Sequence, residues 1–257
     1  MTKLKQLSCI ISLLSLAMTA MASDFSFDRP GTGFGTSITP VGNLAWEQGL
    51  PAAHYVESKD ASGIKTKTLS LNADMLLRTG LAENTELQLG WMGPAWTQAK
   101  SQGQTVEDDG LGDVSIAVKH RVDLDDDKLS MAVLAQALIA TGNDGFSEEE
   151  DIYTVGTSVG YQYNALVNTS MSMFYAVQDG DWSVTAVPKI GYKIAGDWSG
   201  YSELVYRKKE SVDNQYALGT GLIYALNDRA QLDASVGVDL DGQARSYHAG
   251  FGVSYLF

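Results

Sequence analysis

Long stretches of strict apolar/polar alternation constrain this chain more than any other feature. Between Lys65 and Arg78, Thr66, Thr68, Ser70, Asn72, Asp74 and Arg78 share one face, with Leu76 the exception. Leu69, Leu71, Ala73, Met75 and Leu77 share the other. Period-two alternation marks an extended strand, whose successive side chains point to opposite sides. It recurs over 111–122, where Asp113, Ser115, Lys119 and Arg121 oppose Val114, Ile116, Val118 and Val122. Over 231–240, Gln231, Asp233, Ser235 and Asp239 oppose Leu232, Ala234, Val236, Val238 and Leu240. Helical periodicity of comparable strength is found nowhere in the sequence.

On this basis the chain divides into twelve expected strands, near 41–50, 65–78, 86–96, 111–122, 129–140, 152–163, 166–178, 182–194, 198–207, 215–225, 230–240 and 246–257. Most have the length of about ten residues that crosses a bilayer at a tilt of ~45°, whereas strands of soluble sheets average nearer 5–6. Short connections follow strands 2, 4, 6, 8 and 10; longer polar segments at 51–64, 97–110, 141–151 and 208–214 follow strands 1, 3, 5 and 9. On the apolar faces, Trp91, Tyr153, Tyr175, Trp182, Tyr206, Tyr216 and Tyr247 lie toward the long connections. Tyr161, Tyr163, Tyr192, Trp198, Tyr224, Tyr255 and Phe257 lie toward the short ones. Two aromatic girdles around an uncharged band are expected of a membrane barrel. The fold expected is therefore all-β: an antiparallel transmembrane β-barrel of about 12 strands over 41–257, with short periplasmic turns and longer outer loops. Pro188, inside strand 8, lacks a ladder donor and predicts a bulge or broken pairing there.

Composition narrows the class further. The formal net charge of −13 argues against nucleic-acid binding, which needs a basic face. No apolar run beyond the N-terminus reaches the about 20 residues of a membrane helix. Lys3 and Lys5, the apolar 7–17 stretch and Ala20-Met21-Ala22 have the layout of an export signal, so residues 1–22 are expected to be removed after Ala22. That cleavage takes away Cys9, the single cysteine, and with it disulfides, thiolate metal sites and a Cys nucleophile. Residues 23–40 are expected as an N-terminal periplasmic segment. Gly31-x-Gly33-x-Gly35 within it precedes no helix, so it fits a flexible tail rather than a phosphate loop. At the other end, Tyr247, Ala249, Phe251, Val253, Tyr255 and Phe257 alternate to the last residue. Phe251, Val253, Tyr255 and Phe257 resemble the signal that the barrel-assembly machinery recognises in bacterial outer-membrane proteins.

The inward faces carry Asp74, Glu86, Asp113, Glu203, Asp233 and Asp239 against Arg78, Lys119, Arg121, Lys189, Lys193 and Arg207. These are the candidate pore-lining residues. A balanced wall leaves two readings open: ion-paired ladders that fill the barrel, or a pore of weak charge preference. The excess negative charge collects outside the strands, at 107–109, 148–151 and 125–127. The first two clusters lie on the outer side, where they are solvated loops or contacts to lipopolysaccharide through divalent cations. No metal site, catalytic residue or cofactor is expected. Ser246 and His248 share a lumenal face two residues apart, which resembles the outer-membrane phospholipase, but in the reverse order and on the opposite side of the wall. His54 falls in the first long connection, and His120 faces lipid.

A series of short landmarks runs along the mature chain: Asp28-Arg29-Pro30-Gly31, Leu77-Arg78-Thr79-Gly80-Leu81, Glu86-Leu87-Gln88-Leu89, Gly110-Leu111-Gly112-Asp113 with Lys119, Ala140-Thr141-Gly142, and Gly252-Val253-Ser254-Tyr255-Leu256-Phe257. In this order they resemble the outer-membrane transporter family of the meta-pathway of phenol degradation. The resemblance implies a barrel that passes hydrophobic or aromatic compounds, and supplies no catalytic residues. The expected protein is a monomeric passive channel for small solutes in the outer membrane of a Gram-negative bacterium. Its expected partners are membrane lipid, lipopolysaccharide, the assembly machinery and the solute. A plugged structural barrel without transport is the alternative, and a hydrolase the remoter one.

Overall fold

The computed structural model describes residues 25–60, 62–240 and 245–257; the export signal expected over 1–22 lies outside them. Fifteen strands are seen: β1 (Leu44–Lys59), β2 (Lys65–Asn72), β3 (Met75–Ala82), β4 (Thr85–Trp91), β5 (Pro94–Ser101), β6 (Gln104–Leu111), β7 (Val114–Val122), β8 (Leu129–Ile139), β9 (Ile152–Gln162), β10 (Val167–Gln178), β11 (Asp181–Ala195), β12 (Trp198–Lys209), β13 (Gln215–Asn227), β14 (Ala230–Asp239) and β15 (Arg245–Leu256). All neighbours pair antiparallel, and β15 returns to pair with β1. The sheet therefore closes, which removes the unpaired edges that lipid cannot satisfy.

Fifteen strands make twelve staves. β2 and β3 pair with successive halves of β1, at 52–59 and 44–48. β5 and β4 then pair with β2 and β3, and β6 and β7 with β5 and β4. Each of these three pairs is one stave interrupted partway. The interruptions fall side by side at 73–74, 92–93 and 112–113, next to a register shift between Gly49 and Ala52 in β1. Backbone bonds run across the seam, from Gly49 N to Asp74 O (2.8 Å), Ala73 N to Pro94 O (3.1 Å) and Met92 N to Asp113 O (2.8 Å). Pro51 and Pro94 lie at the break and have no N–H to give to a ladder.

The strand boundaries differ from expectation mainly here. The segments 51–64 and 97–110, expected as loops, are largely strand: β1 runs on to Lys59, and β5 and β6 form a hairpin turning at Gln102–Gly103. Every residue from Gln104 to Asp109 is exposed. A sheet wet on both faces has no reason to alternate, so its pattern is silent. The segment expected as a loop at 141–151 is one, and it begins a residue earlier, at 140. Pro188 leaves a gap in the ladder with β12 at 187–188, without changing the register, while its pairing with β10 continues through Met171.

Outward side chains form an exposed apolar band that includes Ile116, Val155, Met173, Leu204, Leu218, Val236 and Phe251. Aromatic pairs close both rims: Tyr206 on Tyr216 at the loop side, and Trp198 on Tyr224 and Tyr255 on Phe257 at the turn side. The buried core is inside the barrel. Phe34 packs with Ala117, Ala132 and Leu134, and Phe174 joins that cluster to Val187, Val205 and Ala217.

Candidate functional site

Phe34 belongs to no strand. Of residues 23–40, expected as a periplasmic segment with a flexible glycine-rich stretch, 25–40 are described and make their contacts with the inner face of the barrel. Small and polar residues let this stretch sit inside a polar barrel, where each of its backbone groups needs a partner. Ser158 and Ser172 both donate to the carbonyl of Phe34, at 2.7 and 3.2 Å. Thr32 donates its amide and hydroxyl to Glu203, at 3.0 and 2.9 Å. Thr39 does the same to Glu86, at 2.6 and 2.8 Å.

Charge fixes the segment most firmly along β1, β3, β4 and β7. The Arg78 guanidinium lies 2.9 Å from both Glu47 and Glu86 and 3.6 Å from Asp28, and donates to the carbonyls of Ser26 and Ser37. The Lys119 ammonium is 2.9 Å from Glu86 and 3.1 Å from Asp28. Arg78, Lys119, Glu47 and Glu86 are all 0% exposed. At this depth neither cation is tolerable without its anions, so the cluster holds together as a unit. Arg29 reaches the other way, to Asp74 at 3.0 Å and Asp233 at 3.3 Å, and its amide donates to Glu47 at 2.8 Å.

Two glycines make room for the segment. A Cβ on Gly80 would stand 2.2 Å from the Thr39 carbonyl oxygen, and one on Gly252 would stand 2.4 Å from Arg29 Nε. The landmarks noted along the sequence thus meet in space. Asp28-Arg29, Arg78 with Gly80, Glu86, Lys119 and Gly252 are the parts of one clamp around the lumenal segment.

A second constellation joins two more of them. Asp113, at the break between β6 and β7, is fully buried and gathers the loop 140–151. Its Oδ1 accepts from the Thr141 and Gly142 amides and the Ser147 hydroxyl, at 2.9, 2.8 and 2.9 Å, and its Oδ2 accepts from the Glu148 amide at 2.8 Å.

Of the twelve charged positions read as inward, Asp74, Arg78, Glu86, Lys119, Glu203 and Asp233 meet the lumenal segment directly, while Asp113 holds the loop. Arg121 donates to Asn84 of the β3–β4 turn, at 3.1 and 2.8 Å. The Lys189 ammonium lies 5.8 Å from the Tyr201 ring centre. Asp239 lies 3.6 Å from His248, and Lys193 and Arg207 are exposed. Sequence reasoning missed Glu47, although alternation from the outward Trp46 places it inside. It also missed Asp28 and Arg29 as partners of wall charges, because nothing local says that a segment will enter a barrel.

The segment divides the lumen. On the loop side lies a chamber of about 450 Å³, with Phe34, Leu134, Phe174, Val205 and Ala217 on its walls together with Asp74, Glu203 and Arg207. On the turn side a second chamber of about 590 Å³ is bordered by Phe25, Phe27, Arg121, Ser130 and Lys189. Asp28 borders both.

A closed antiparallel barrel, apolar and aromatic-rimmed outside, polar and partly filled inside, is a transmembrane β-barrel of the kind that spans bacterial outer membranes. The chain belongs to the family described as "Putative MetA-pathway of phenol degradation", whose model matches residues 27–257, lumenal segment and barrel together. In fold it is similar to an outer membrane channel from Pseudomonas putida F1, with a TM-score of 0.65 and 11% identity, covering 85% of this chain and 96% of that one. The translocator domain of the autotransporter NalP from Neisseria meningitidis gives a TM-score of 0.55 at 11% identity, covering 89% and 90% of the two chains. The KdgM porin in complex with disordered oligogalacturonate gives 0.51 at 13%, covering 79% and 98%. No curated protein matches the sequence.

Proposed function

We propose that this protein is a passive outer-membrane channel for small solutes, with residues 25–40 setting its bore from within. The observation that carries this reading is the pair of chambers on either side of a segment held by side-chain contacts rather than by ladder bonds. A covalent wall strand cannot leave the path; a strap clamped by ion pairs and hydroxyls can shift. The outer chamber sets an apolar wall against charged groups, which suits small hydrophobic or aromatic molecules bearing a polar substituent. Membership of a family named for phenol degradation supports the same solute class. In this reading Asp74, Glu203 and Arg207 line the outer half of the route, and Arg121 and Lys189 the inner half. Arg78, Glu86 and Lys119 are anchors of the segment and do not face passing ions.

The rest of the envelope assignment follows. The export signal is removed after Ala22, the alternating Phe251, Val253, Tyr255 and Phe257 address the chain to the assembly machinery, and the barrel acts as a monomer. The acidic 107–109 and 148–151 segments face lipopolysaccharide. A hydrolase has less support: the Ser246 hydroxyl pairs with His54 at 2.7 Å, whereas the nearby carboxylate, Asp239, lies against His248. The elements of a Ser–His–carboxylate relay are thus split between two histidines.

Planar-bilayer recording and liposome flux test the channel. The full mature chain is expected to show small discrete conductance steps, and deletion of residues 25–40 to raise them several-fold. The density of buried ion pairs on the segment favours one rival, a permanently closed structural barrel. That reading predicts a silent full-length protein and a conducting deletion variant. Silence of both, with no flux of phenol-sized solutes, rejects the channel.

A further inference from the structure

The histidines that the sequence scatters are partly reunited by closure. His54 on β1 stands directly opposite His248 on β15, at the seam where the first and last staves meet. Their rings stack with centroids 5.5 Å apart and planes inclined by 30°. Asp239, at the end of β14, brings its Oδ1 to 3.6 Å from His248 Nε2. That oxygen is buried and accepts no hydrogen bond from the described residues. Ser246 Oγ lies 2.7 Å from His54 Nε2. One ligand atom from each of His54, Asp239 and His248 falls within 4.8 Å of the others.

The geometry points to a divalent transition-metal site formed by His54, Asp239 and His248 at the outer end of the barrel seam. Two imidazoles and a carboxylate form a nitrogen/oxygen set that suits zinc, nickel or copper better than magnesium or calcium, which take oxygen alone. Three protein ligands leave a fourth position for water, as in open zinc sites. Metal–ligand bonds of about 2.0–2.2 Å place tetrahedral neighbours roughly 3.4 Å apart. The His248–Asp239 contact is already close to that spacing, and the longer separations close through side-chain rotation of His54, which is exposed. The buried Asp239 oxygen, which accepts no hydrogen bond from the described residues, gains a cation partner. Because its ligands come from three staves, the ion ties β1, β14 and β15 together where the cylinder closes. His248 also borders the outer chamber, so the ion places positive charge beside the chamber mouth. None of this depends on whether the barrel conducts.

Zinc titration into the purified, folded mature protein, followed by calorimetry and by X-ray absorption at the zinc edge, tests the site. One zinc per chain with two imidazole nitrogens in its shell is expected, together with a higher unfolding temperature when zinc is added. His54→Ala and His248→Ala are each expected to weaken binding by roughly 100-fold or more, and Asp239→Asn by about tenfold. His120→Ala, on the lipid face, should bind as the parent does. Heat-modifiable gel mobility verifies that each variant is still a folded barrel, and Ser246→Ala provides a second, milder change in the same place. The proposal is overturned if folded His54→Ala/His248→Ala protein keeps stoichiometric zinc. It is equally overturned if the bound zinc has an all-oxygen shell, which would assign it to the acidic outer segments.

Discussion

The two halves of the barrel are built differently. From β1 to β7 the staves are interrupted at one level, carry five buried charged side chains, Glu47, Arg78, Glu86, Asp113 and Lys119, and run outward into a hairpin whose second strand is exposed from Gln104 to Asp109. From β8 to β15 the ladders run largely unbroken, and the interior offers mostly small hydroxyls and apolar groups, Ser158, Ser172, Phe174, Val187, Val205 and Ala217, with the carboxylates of Glu203 and Asp233 set among them. The lumenal segment meets the densest ion cluster on the first half, through Arg78, Lys119, Glu47 and Glu86, and on the second it is held by Phe34, by two bonds from Thr32 to Glu203 and by the Arg29–Asp233 pair. A polar barrel can thus hold a strap and leave space beside it, because the anchoring is concentrated on one side and the chamber opens against the other.

The largest test of this asymmetry compares cations on the two sides. Arg78→Met leaves the buried Glu47 carboxylate without its cation and Glu86 and Asp28 with Lys119 alone, and a loss of about 3–5 kcal/mol is expected. Lys189→Met removes only a half-buried cation above Tyr201, worth about 0.5–1 kcal/mol. Urea unfolding in detergent measures both; equal losses would mean that the two halves do not differ.

A smaller effect is expected when the strap is displaced without touching any charge. Gly80→Ala pushes a methyl into the Thr39 carbonyl, at a cost of about 1–3 kcal/mol. Exposure of Phe27 and Phe34 to chymotrypsin, in protein that still migrates as a folded barrel, reports the release. Unchanged resistance would show that the clamp tolerates movement at that point.

Asp113→Ala addresses the loop rather than the strap. Four donors lose their acceptor, and about 1–3 kcal/mol of local order is at stake. Cleavage at 148–150 by a glutamate-specific protease should accelerate while the segment around Phe34 stays protected. Simultaneous release of both would join two constellations that the structure keeps apart.

The smallest effect concerns the outer extension. Asp60 accepts from the Ser62 hydroxyl and from the Ser62 and Ile64 amides, and these bonds hold its carboxyl below the ordinary value of 3.8. A lowered folded value means that its contribution is complete above the unfolded pKa and is lost as pH falls through the folded one. Amide exchange at Ser62 and Ile64 should therefore quicken only in that acid range, with the barrel unaffected. Acid-independent exchange would remove Asp60 as the turn's organiser.

How much of this could be read in advance follows from what each part of the chain faces. Where one side of a strand meets lipid and the other an enclosed interior, the two solvents write their difference into every second residue. The strand from Val167 to Gln178 and the final strand could be placed to within a residue for that reason. The outer strand from Gln104 to Leu111 could not, because Gln104–Asp109 are exposed one after another and leave no such record. The inward direction of Arg78, Lys119 and Glu86 was legible from alternation. Their being locked together by Asp28, and not bathed by a pore, was not.

Covalent order and local polarity settle the number of staves, which face of each turns inward, and the rims that aromatic side chains mark. They do so because lipid and lumen act on each residue where it stands. Three associations lie beyond that reach: the strap threading the interior, Asp113 gathering a loop some thirty residues onward, and His54 coming to rest beside His248 at the far end of the chain. The first and third are created when the sheet closes on itself, and the second where the β7–β8 hairpin, which pairs Val114 with Ile139, runs on into the loop. A one-dimensional pattern holds no term for contacts between residues that become neighbours only in the folded sheet.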